Sequence, residues 1–497
     1  MAPQRTFPTP PHRWHGAIGV LLLLMAAWCS TGHHSEDEHH QTLGLALTRA
    51  GAPTAEAVWE HGERIRGSAL PWIATGMLGA TGAIGLTDPF TRTALLRLLT
   101  ALLACVVVHR ALRATMHRLP TGLHGPYRLL ASGLWFLPFL YVRFASETWA
   151  GLWLLAGIAP LVAPIARPRA TVWAGACFAL AVWVRPPVAA AAAGIVAWWW
   201  YTRRPTGKHI ALFVVAAMGM LALSVIADSI FYGTPTCSIL RYTVMGFTGH
   251  PDHDFGRLPW WYYFPWIVKY AVPPVGLCIL LAFAMLLRKD RGHPLVWAMV
   301  PFMLLHIALP HKELRFLYPL APLVPWLLVE GWRHVPRLHR RAIARPLLGV
   351  LIACNVPALA VAVLTPAGNG RTALAGHLHH TGHARAPVAA IAPDHGWRLT
   401  VPRFYRPHAP APVIVSRTPP ADVHFAVIAA KAPGRPPGFV AVMPGQPPWA
   451  TSLLELYHWT EWRGPAVLLR RAHGASAVHE EALHGAALGG GGTGTGR

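Results

Sequence analysis

The stretch WAMVPFMLLHIALPHKELRFLYPLAPLVPWLLV, residues 297–329, decides the fold class, because it sets a cluster of ionisable side chains between two apolar runs. The cluster consists of His311, Lys312, Glu313 and Arg315. Lys, Glu and Arg are unfavourable beside hydrocarbon, so a group of them at a membrane boundary normally marks a functional site. A cluster that only anchors the helix end by snorkelling is the alternative interpretation. The stretch predicts membrane helices with polar chemistry at one end.

Apolar runs of this kind recur between residues 16 and 366, and most approach the ~20 residues that a helix needs to cross a bilayer. The chain is 54% hydrophobic and 13% charged, whereas charged residues make up about 25% of a globular chain. We predict an all-α polytopic membrane protein with about eleven transmembrane helices. The apolar runs are 16–30, 92–109, 128–142, 144–166, 171–184, 187–201, 209–227, 265–287, 294–309, 316–329 and 346–365. The Gly-rich run 69–86 is interpreted as an interfacial or re-entrant element.

The net charge of +23 is distributed in a way that argues against a nucleic-acid partner. Arg and Lys cluster in short loops between the apolar runs, and all of these loops fall on the side of the N-terminus. This is the positive-inside pattern, which predicts a cytoplasmic N-terminus and an extracytoplasmic C-terminal region. The charge is explained by loops that face anionic membrane lipid.

The composition changes after residue 366, where long apolar runs end and Pro, His and Gly become frequent. Short β-prone runs separated by Pro and Gly predict a small soluble α/β domain on the extracytoplasmic side. These runs are 412–416, 423–429, 439–443 and 466–470. The expected domains are a cytoplasmic N-terminus (1–15), a transmembrane catalytic domain (16–366) whose first extracytoplasmic loop is 31–68, the soluble domain (370–486), and a disordered Gly-rich tail (487–497).

Several short motifs follow one another along the chain. They are SEDEHHQTLGLA (35–46), VWEHGERIRGSALPW (58–72), DPFTRTALLRLLTALLA (88–104), VRPPVA (184–189), DSIFYG (228–233), FGRLPWWYYF (255–264) and PHKELRF (310–316). In this order they resemble motifs of the GT-C α-mannosyltransferases that use polyprenyl- or dolichyl-phosphate mannose and carry an HKExRF signature. Gly44 and Gly67 depart from the family pattern, which has Glu and Ser there.

The resemblance implies that Asp37 is the general base and that Glu38 orients it or binds sugar. It also implies that Lys312 and Arg315 contact the donor phosphate, with the bidentate geometry that phosphate favours available to Arg. A further hydrogen bond is expected from His311. For the acidic string alone, a solvated loop is the simpler interpretation.

Glu313 is expected to pair with a neighbouring Lys or Arg and so to hold the shape of the motif. The other residues expected to support the site are Glu60, Gln41, Arg66 and Asp228. Of these, Arg66 and Asp228 have helix capping as the alternative. Four aromatic residues are candidates for a sugar or lipid path, although an interfacial aromatic belt is the better explanation for each residue taken singly. They are Trp260, Trp261, Tyr262 and Tyr263.

The expected reaction inverts a β-linked mannosyl donor to an α-mannoside on a glycan or glycolipid acceptor, at the extracytoplasmic face. No cofactor is expected: the two histidine clusters, around residues 33–40 and 377–383, lack Cys and fit no compact metal site. The Ala-, Arg- and Pro-rich composition favours a bacterial plasma membrane, with the endoplasmic reticulum expected for a eukaryotic source. The alternatives are another GT-C transferase with a different donor, a lipid or sugar transporter, and a homologue with a decayed site.

Overall fold

A computed structural model describes residues 13–56, 58–165, 167–248, 256–336, 342–392, 396–432, 434–459 and 464–472. The chain divides into two compact units, one up to Thr365 and one from Pro366 onward. The expected Gly-rich tail, 487–497, lies outside the described residues, as does most of the expected cytoplasmic segment 1–15.

The first unit is almost entirely helical. Its helices are α1 (Arg13–Cys29), α2 (Glu36–Glu38), α3 (Leu45–Arg49), α4 (Trp59–Glu63), α5 (Ala69–Ala83), α6 (Pro89–Thr115), α7 (His124–Gly133), α8 (Phe136–Leu140), α9 (Ser146–Val162), α10 (Pro168–Val184), α11 (Ala189–Trp198), α12 (Gly207–Tyr232), α13 (Ser238–Thr248), α14 (Tyr263–Tyr270), α15 (Pro273–Lys289), α16 (Pro294–Ala308), α17 (Val324–Arg333) and α18 (Ala344–Leu364). A π-helical turn, His39–Gly44, joins α2 to α3, and a 3₁₀ segment, Leu314–Leu323, leads into α17.

Three helical segments in the described residues are long and apolar enough to cross a membrane: Pro89–Arg118, Gly207–Tyr232 and Ala344–Leu364. Shorter apolar helices cover Gly16–Cys29, Pro168–Val184 and Pro294–Ala308. α12 is the most exposed of the three long segments, with 6% of its most apolar window buried, as expected for a helix that lies in lipid. The chain is thus a helical membrane protein.

Three of the predicted spans are divided in the structure. The run 128–142 falls across two helices, α7 and α8, and the run 265–287 is interrupted at Val272, which has a φ of 67° and precedes two prolines. The run 316–329 begins as a 3₁₀ segment that contains Pro319 and Pro322. Proline removes a backbone donor and clashes with the preceding turn, which favours the breaks in the second and third of these runs; the break in the first, at Leu134 and Trp135, has no proline.

Gly151 allows α9 to pack closely against the 3₁₀ segment. α9 packs against the 3₁₀ segment, and a Cβ built at Gly151 would lie 2.8 Å from the carbonyl oxygen of Pro319. Real Cβ atoms do not approach an oxygen so closely. Glycine therefore lets the first turns of α9 lie directly against the chain that follows α16.

The second unit is an α/β domain. In its described part a five-stranded sheet has the order β2-β1-β3-β5-β4, with β1 (Val388–Ile391), β2 (Val413–Val415), β3 (Phe425–Ala429), β4 (Phe439–Pro444) and β5 (Ala466–Arg471). β1 pairs in parallel with β2 and β3, and the remaining pairs are antiparallel. α19 (Arg371–His380) packs its Leu374 and Leu378 on one face of the sheet, and α20 is Pro448–Leu456. The sequence predicted four of these strands and missed the central β1.

Candidate active site

Polar residues from four distant parts of the sequence meet at one end of the helices. Asp37 follows the end of α1, Glu147 lies in the first turn of α9, Arg185 follows the end of α10, and Arg315 follows the end of α16. Ion pairs connect all four. The site therefore lies at the ends of the apolar helices α1, α9, α10 and α16, where polar chain begins.

Asp37 is a partly exposed carboxylate of this cluster. Its Oδ2 lies 2.7 Å from Arg315 Nη1 and accepts a 2.5 Å hydrogen bond from Gln41 Nε2, one helical turn further on. Its side chain is nevertheless 34% exposed. Two donors orient one carboxylate oxygen, so the partly exposed carboxylate retains acceptor capacity for a substrate proton.

Glu38, expected to orient Asp37 or bind sugar, makes different contacts. Its Oε1 lies 3.6 Å from Arg143 Nη1, and its Oε2 accepts a 2.8 Å hydrogen bond from the backbone N–H of His34. Arg143 in turn donates to the carbonyl of Ser30 at 2.7 Å. These contacts fasten the loop after α1, which carries Asp37, to the chain before α9.

Gln41, Glu60 and Arg66 form a chain of hydrogen bonds behind Asp37. Gln41 Nε2 lies 3.1 Å from Glu60 Oε1, the oxygen to which Arg66 also donates from Nε at 3.0 Å and from Nη2 at 2.6 Å. Burial lowers the pKa of Arg66, but Glu60, Tyr242 and Asp37 outweigh it and hold that pKa above its ordinary value. Arg66 is a permanent cation that anchors these hydrogen bonds.

Within the HKELRF segment, Glu313 does pair with Arg315, at 2.5 Å and 2.8 Å, and its Oε1 lies 3.1 Å from His311 Nε2. Burial raises the pKa of Glu313, but the bonds from His311 and Arg315 pull it well below its ordinary range. The Lys312 ammonium is turned inward: the residue is 3% exposed, and Nζ donates to the carbonyl of Leu309. Of Lys312 and Arg315, it is Arg315 that reaches Asp37.

Sequence reasoning missed Glu147 and Arg143 and mentioned Arg185 only as part of the string VRPPVA. Glu147 Oε1 lies 3.0 Å from Arg185 Nη1 and 3.9 Å from Arg315 Nη1, and all three side chains are largely buried. The available signal was an ionisable residue at the edge of an apolar run, in the same class as the HKELRF cluster. An acidic residue in the first turn of a helix is also common for its interaction with the helix dipole, which hides that signal.

Asp228 has a structural position. It is 1% exposed, and its oxygens accept hydrogen bonds from Ser68, Trp183 and Ser238, including 2.9 Å from Trp183 Nε1 and 2.7 Å from Ser68 Oγ. These donors come from three different parts of the unit. Asp228 therefore ties α10 and α12 to the segment that carries Arg66.

The aromatic segment lies beside the HKELRF segment, because the Leu258 N–H donates to the Pro310 carbonyl at 3.0 Å. Trp260 and Trp261 are exposed, whereas Tyr263 is fully buried. The two tryptophans thus lie on the surface of the unit, and Tyr263 belongs to the packed interior.

Among the residues that the structure describes, no three His, Cys, Asp or Glu side chains come together in a way that could hold a metal ion. In the cluster after α1, His33 contacts Glu36 at 3.3 Å and His34 contacts Tyr318 at 3.1 Å.

The profile of the Alg9-like mannosyltransferase family matches residues 17–381, most of the chain and the whole site just described. The chain belongs to this family. Its similarity to "Alpha-1,2-mannosyltransferase alg9" of Schizosaccharomyces pombe is 30% identity over 127 residues, which is 23% of this chain and 22% of that protein. With "GPI mannosyltransferase 3" of Eremothecium gossypii it shares 30% identity over 197 residues, 36% of this chain and 33% of that protein. The aligned regions thus span about a third or less of these curated relatives.

The fold has a counterpart among solved structures. The crystal structure of ArnT from Cupriavidus metallidurans in the apo state superposes with a TM-score of 0.50 at 13% identity, over 92% of this chain and 97% of that one. At this identity the likeness concerns the fold alone, which is the GT-C type expected from the sequence.

Proposed function

We propose that this protein transfers mannose from polyprenyl- or dolichyl-phosphate mannose to a hydroxyl of a glycan or glycolipid acceptor. The observation that carries the proposal is the 2.7 Å contact between Asp37 and Arg315, two residues of separate family motifs. It puts a carboxylate that can take a proton beside a guanidinium that can hold a phosphate. Membership of the Alg9-like family supports mannose as the sugar.

Asp37 acts as general base in this reaction. The acceptor oxygen attacks the anomeric carbon, its proton passes to the Asp37 carboxylate, and the bond from the anomeric carbon to the phosphate oxygen breaks. The electron pair of that bond leaves with the polyprenyl phosphate. One displacement at the opposite face of the sugar inverts the β-linked donor to an α-mannoside, and a positioned base contributes about 10²–10⁴-fold to such a step.

Arg315 stabilises the leaving phosphate, whose negative charge increases as the bond breaks. Burial lowers the pKa of Arg315, but Glu313, Asp37 and Glu147 raise it well above its ordinary value, so the charge is permanent. An arriving phosphate competes with Asp37 for the guanidinium. Donor binding would therefore release Asp37 from its ion pair and make it available to the acceptor.

The polar site at the helix ends supports entry of the lipid-linked donor from the side, with its prenyl chain in the bilayer and its phosphate at the boundary. We place this face outside the cytoplasm, because the positive-inside pattern puts the basic loops on the opposite side. Trp260 and Trp261 offer stacking surfaces for a sugar or the lipid. The acceptor is a membrane-associated glycan or glycolipid.

The test is mannose transfer by the purified protein from synthetic polyprenyl-phosphate mannose to membrane glycolipids, with EDTA present. We expect Asp37→Asn to bind donor but to lose transfer by about 10²–10⁴-fold. Asp290→Asn, a carboxylate change beyond the opposite end of α16, is the matched control and should transfer at the wild-type rate. Transfer by Asp37→Asn at the wild-type rate would remove the base assignment, and failure of the wild type to bind the donor would remove the function.

A further inference from the structure

Arg185 is a buried cation with unused hydrogen-bonding capacity. The residue is 4% exposed, and its Nη1 lies 3.0 Å from Glu147 Oε1 and 3.1 Å from Ser146 Oγ. Its guanidinium carbon lies 5.3 Å from the ring centre of Phe316. The Nε of Arg185 is buried, and it has no hydrogen-bond partner in the described part of the chain.

An unpaired, buried N–H on a charged group is unusual, because nearly all buried donors in folded proteins have an acceptor. Glu147 does not meet this need, since its contacts with Arg185 and Arg315 are with the Nη1 atom of each. The free Nε edge is therefore the part of this arrangement that a ligand oxygen would satisfy.

Two guanidinium groups share the Glu147 carboxylate: Nη1 of Arg185 lies 3.0 Å and Nη1 of Arg315 lies 3.9 Å from the same buried oxygen. An anion between them would have two cationic neighbours. Lys312, the cation expected from the motif, instead directs its ammonium to the Leu309 carbonyl. The second phosphate-binding cation is thus better sought at Arg185 than at Lys312.

We propose that Arg185 binds the phosphate of the lipid-linked donor through its Nε edge, together with Arg315, and that Glu147 holds the two guanidinium groups apart at the spacing this requires. The inference rests on the proposed function, whose phosphate it places. Phosphate oxygens accept two hydrogen bonds from a guanidinium edge more readily than from a lysine ammonium. A solely structural Arg185, which only neutralises Glu147, would need its charge but not its Nε edge.

That difference defines the test. Arg185→Lys keeps a charge beside Glu147 and removes the Nε edge, whereas Arg185→Gln removes both. The matched control is Arg169→Lys, on an exposed residue in the first turn of α10 at its far end. Binding of fluorescent polyprenyl phosphate, with or without a large excess of inorganic phosphate, separates a lipid-linked ligand from free phosphate.

We expect Arg185→Lys to weaken polyprenyl phosphate binding and to raise the KM for the mannosyl donor by about ten- to a hundredfold, the value of one charge-assisted hydrogen bond. The KM for the acceptor should not change, and excess inorganic phosphate should displace little of the lipid. Wild-type donor affinity in Arg185→Lys, in a preparation whose wild type transfers mannose, overturns the inference and leaves the proposed function intact. A wild type that binds no polyprenyl phosphate overturns both.

A second measurement avoids the variants altogether, should they fail to fold. In a cryo-EM structure of the wild type with bound polyprenyl phosphate, a phosphate oxygen should lie within hydrogen-bond distance of Arg185 Nε. A phosphate bound elsewhere, with that Nε still unpaired, would contradict the inference.

Discussion

Removing the Glu147 carboxylate should weaken the first unit through two buried arginines at once. The Coulomb attractions at 3.0 Å and 3.9 Å are about 5.5 and about 4.3 kcal/mol at an effective dielectric constant of 20. Desolvation of three buried charges offsets much of this attraction, but leaving a buried partner uncompensated typically costs about 3–5 kcal/mol. We therefore expect Glu147→Gln to lower the free energy of unfolding by about 3 kcal/mol.

The stability losses of Glu147→Gln and Arg185→Gln should not be additive, and a double-mutant cycle measures the difference. Arg185→Gln alone leaves Glu147 with only the more distant Arg315, so this variant should also be destabilised. The double variant removes both charges of the pair, so neither Glu147 nor Arg185 leaves the other as an uncompensated buried charge. Its loss should therefore be smaller than the sum of the two single losses by about 1–3 kcal/mol.

Equilibrium unfolding in mixed micelles, followed by tryptophan fluorescence, provides the free energies. The control pair is Lys431 and Glu455 of the second unit, which lie 3.2 Å apart with side chains that are 66% and 47% exposed. Its coupling should stay below about 1 kcal/mol, because water screens exposed pairs. If the Glu147 and Arg185 losses simply add, the two side chains do not interact in the way that the structure indicates.

Two further changes test the surroundings of the site. Gly67→Ala should destabilise the protein and lower activity, because an added Cβ would lie well inside van der Waals distance of the Trp183 carbonyl. The control is Gly62→Ala, whose Cβ would meet open space and should leave stability unchanged. Thermal unfolding of both variants measures the difference. Folding lowers the pKa of Glu313. The ionised carboxylate, bonded to Arg315, therefore contributes to the free energy of unfolding above the ordinary carboxylate pKa, and this contribution is lost as the pH falls below about 4.5. Glu313→Gln should flatten the acid limb of a stability profile between about pH 5 and pH 2, and an unchanged acid limb would show that this carboxylate does not set it.

The sequence predicted the core of the site because its motifs combine local spacing with family resemblance. Asp37 and Gln41 are one helical turn apart, so a contact between them follows from spacing alone. The pairing of Asp37 with Arg315 spans most of the membrane unit, and only the resemblance brought the two residues together before the structure placed them 2.7 Å apart. The assigned roles of these residues remain predictions that the proposed variants test.

The contacts of Glu147, Arg185 and Lys312 could not be predicted from the sequence. The helix dipole is enough to explain a carboxylate at the start of an apolar helix. An arginine before two prolines is explained in the same local way, because a helix usually ends at the residue before a proline. Nothing local states that the two meet at 3.0 Å. Lys312 lies in non-helical chain, where no periodicity tells which way a side chain turns, so its inward orientation required coordinates.

The same limit explains the missed strand and the divided spans. β1 is Val-Ala-Ala-Ile, fully buried between β2 and β3. Alanine has little β propensity, because a small side chain gains little on a pleated surface. Here the small side chains belong to an interior strand whose alternate residues are buried in two apolar clusters. Hydropathy likewise registers that residues 265–287 are apolar, but the turn at Val272 comes from the prolines after it. Composition therefore predicts which residues enter the membrane or the core, whereas the breaks that shape a polar site among apolar helices depend on single residues and their tertiary neighbours.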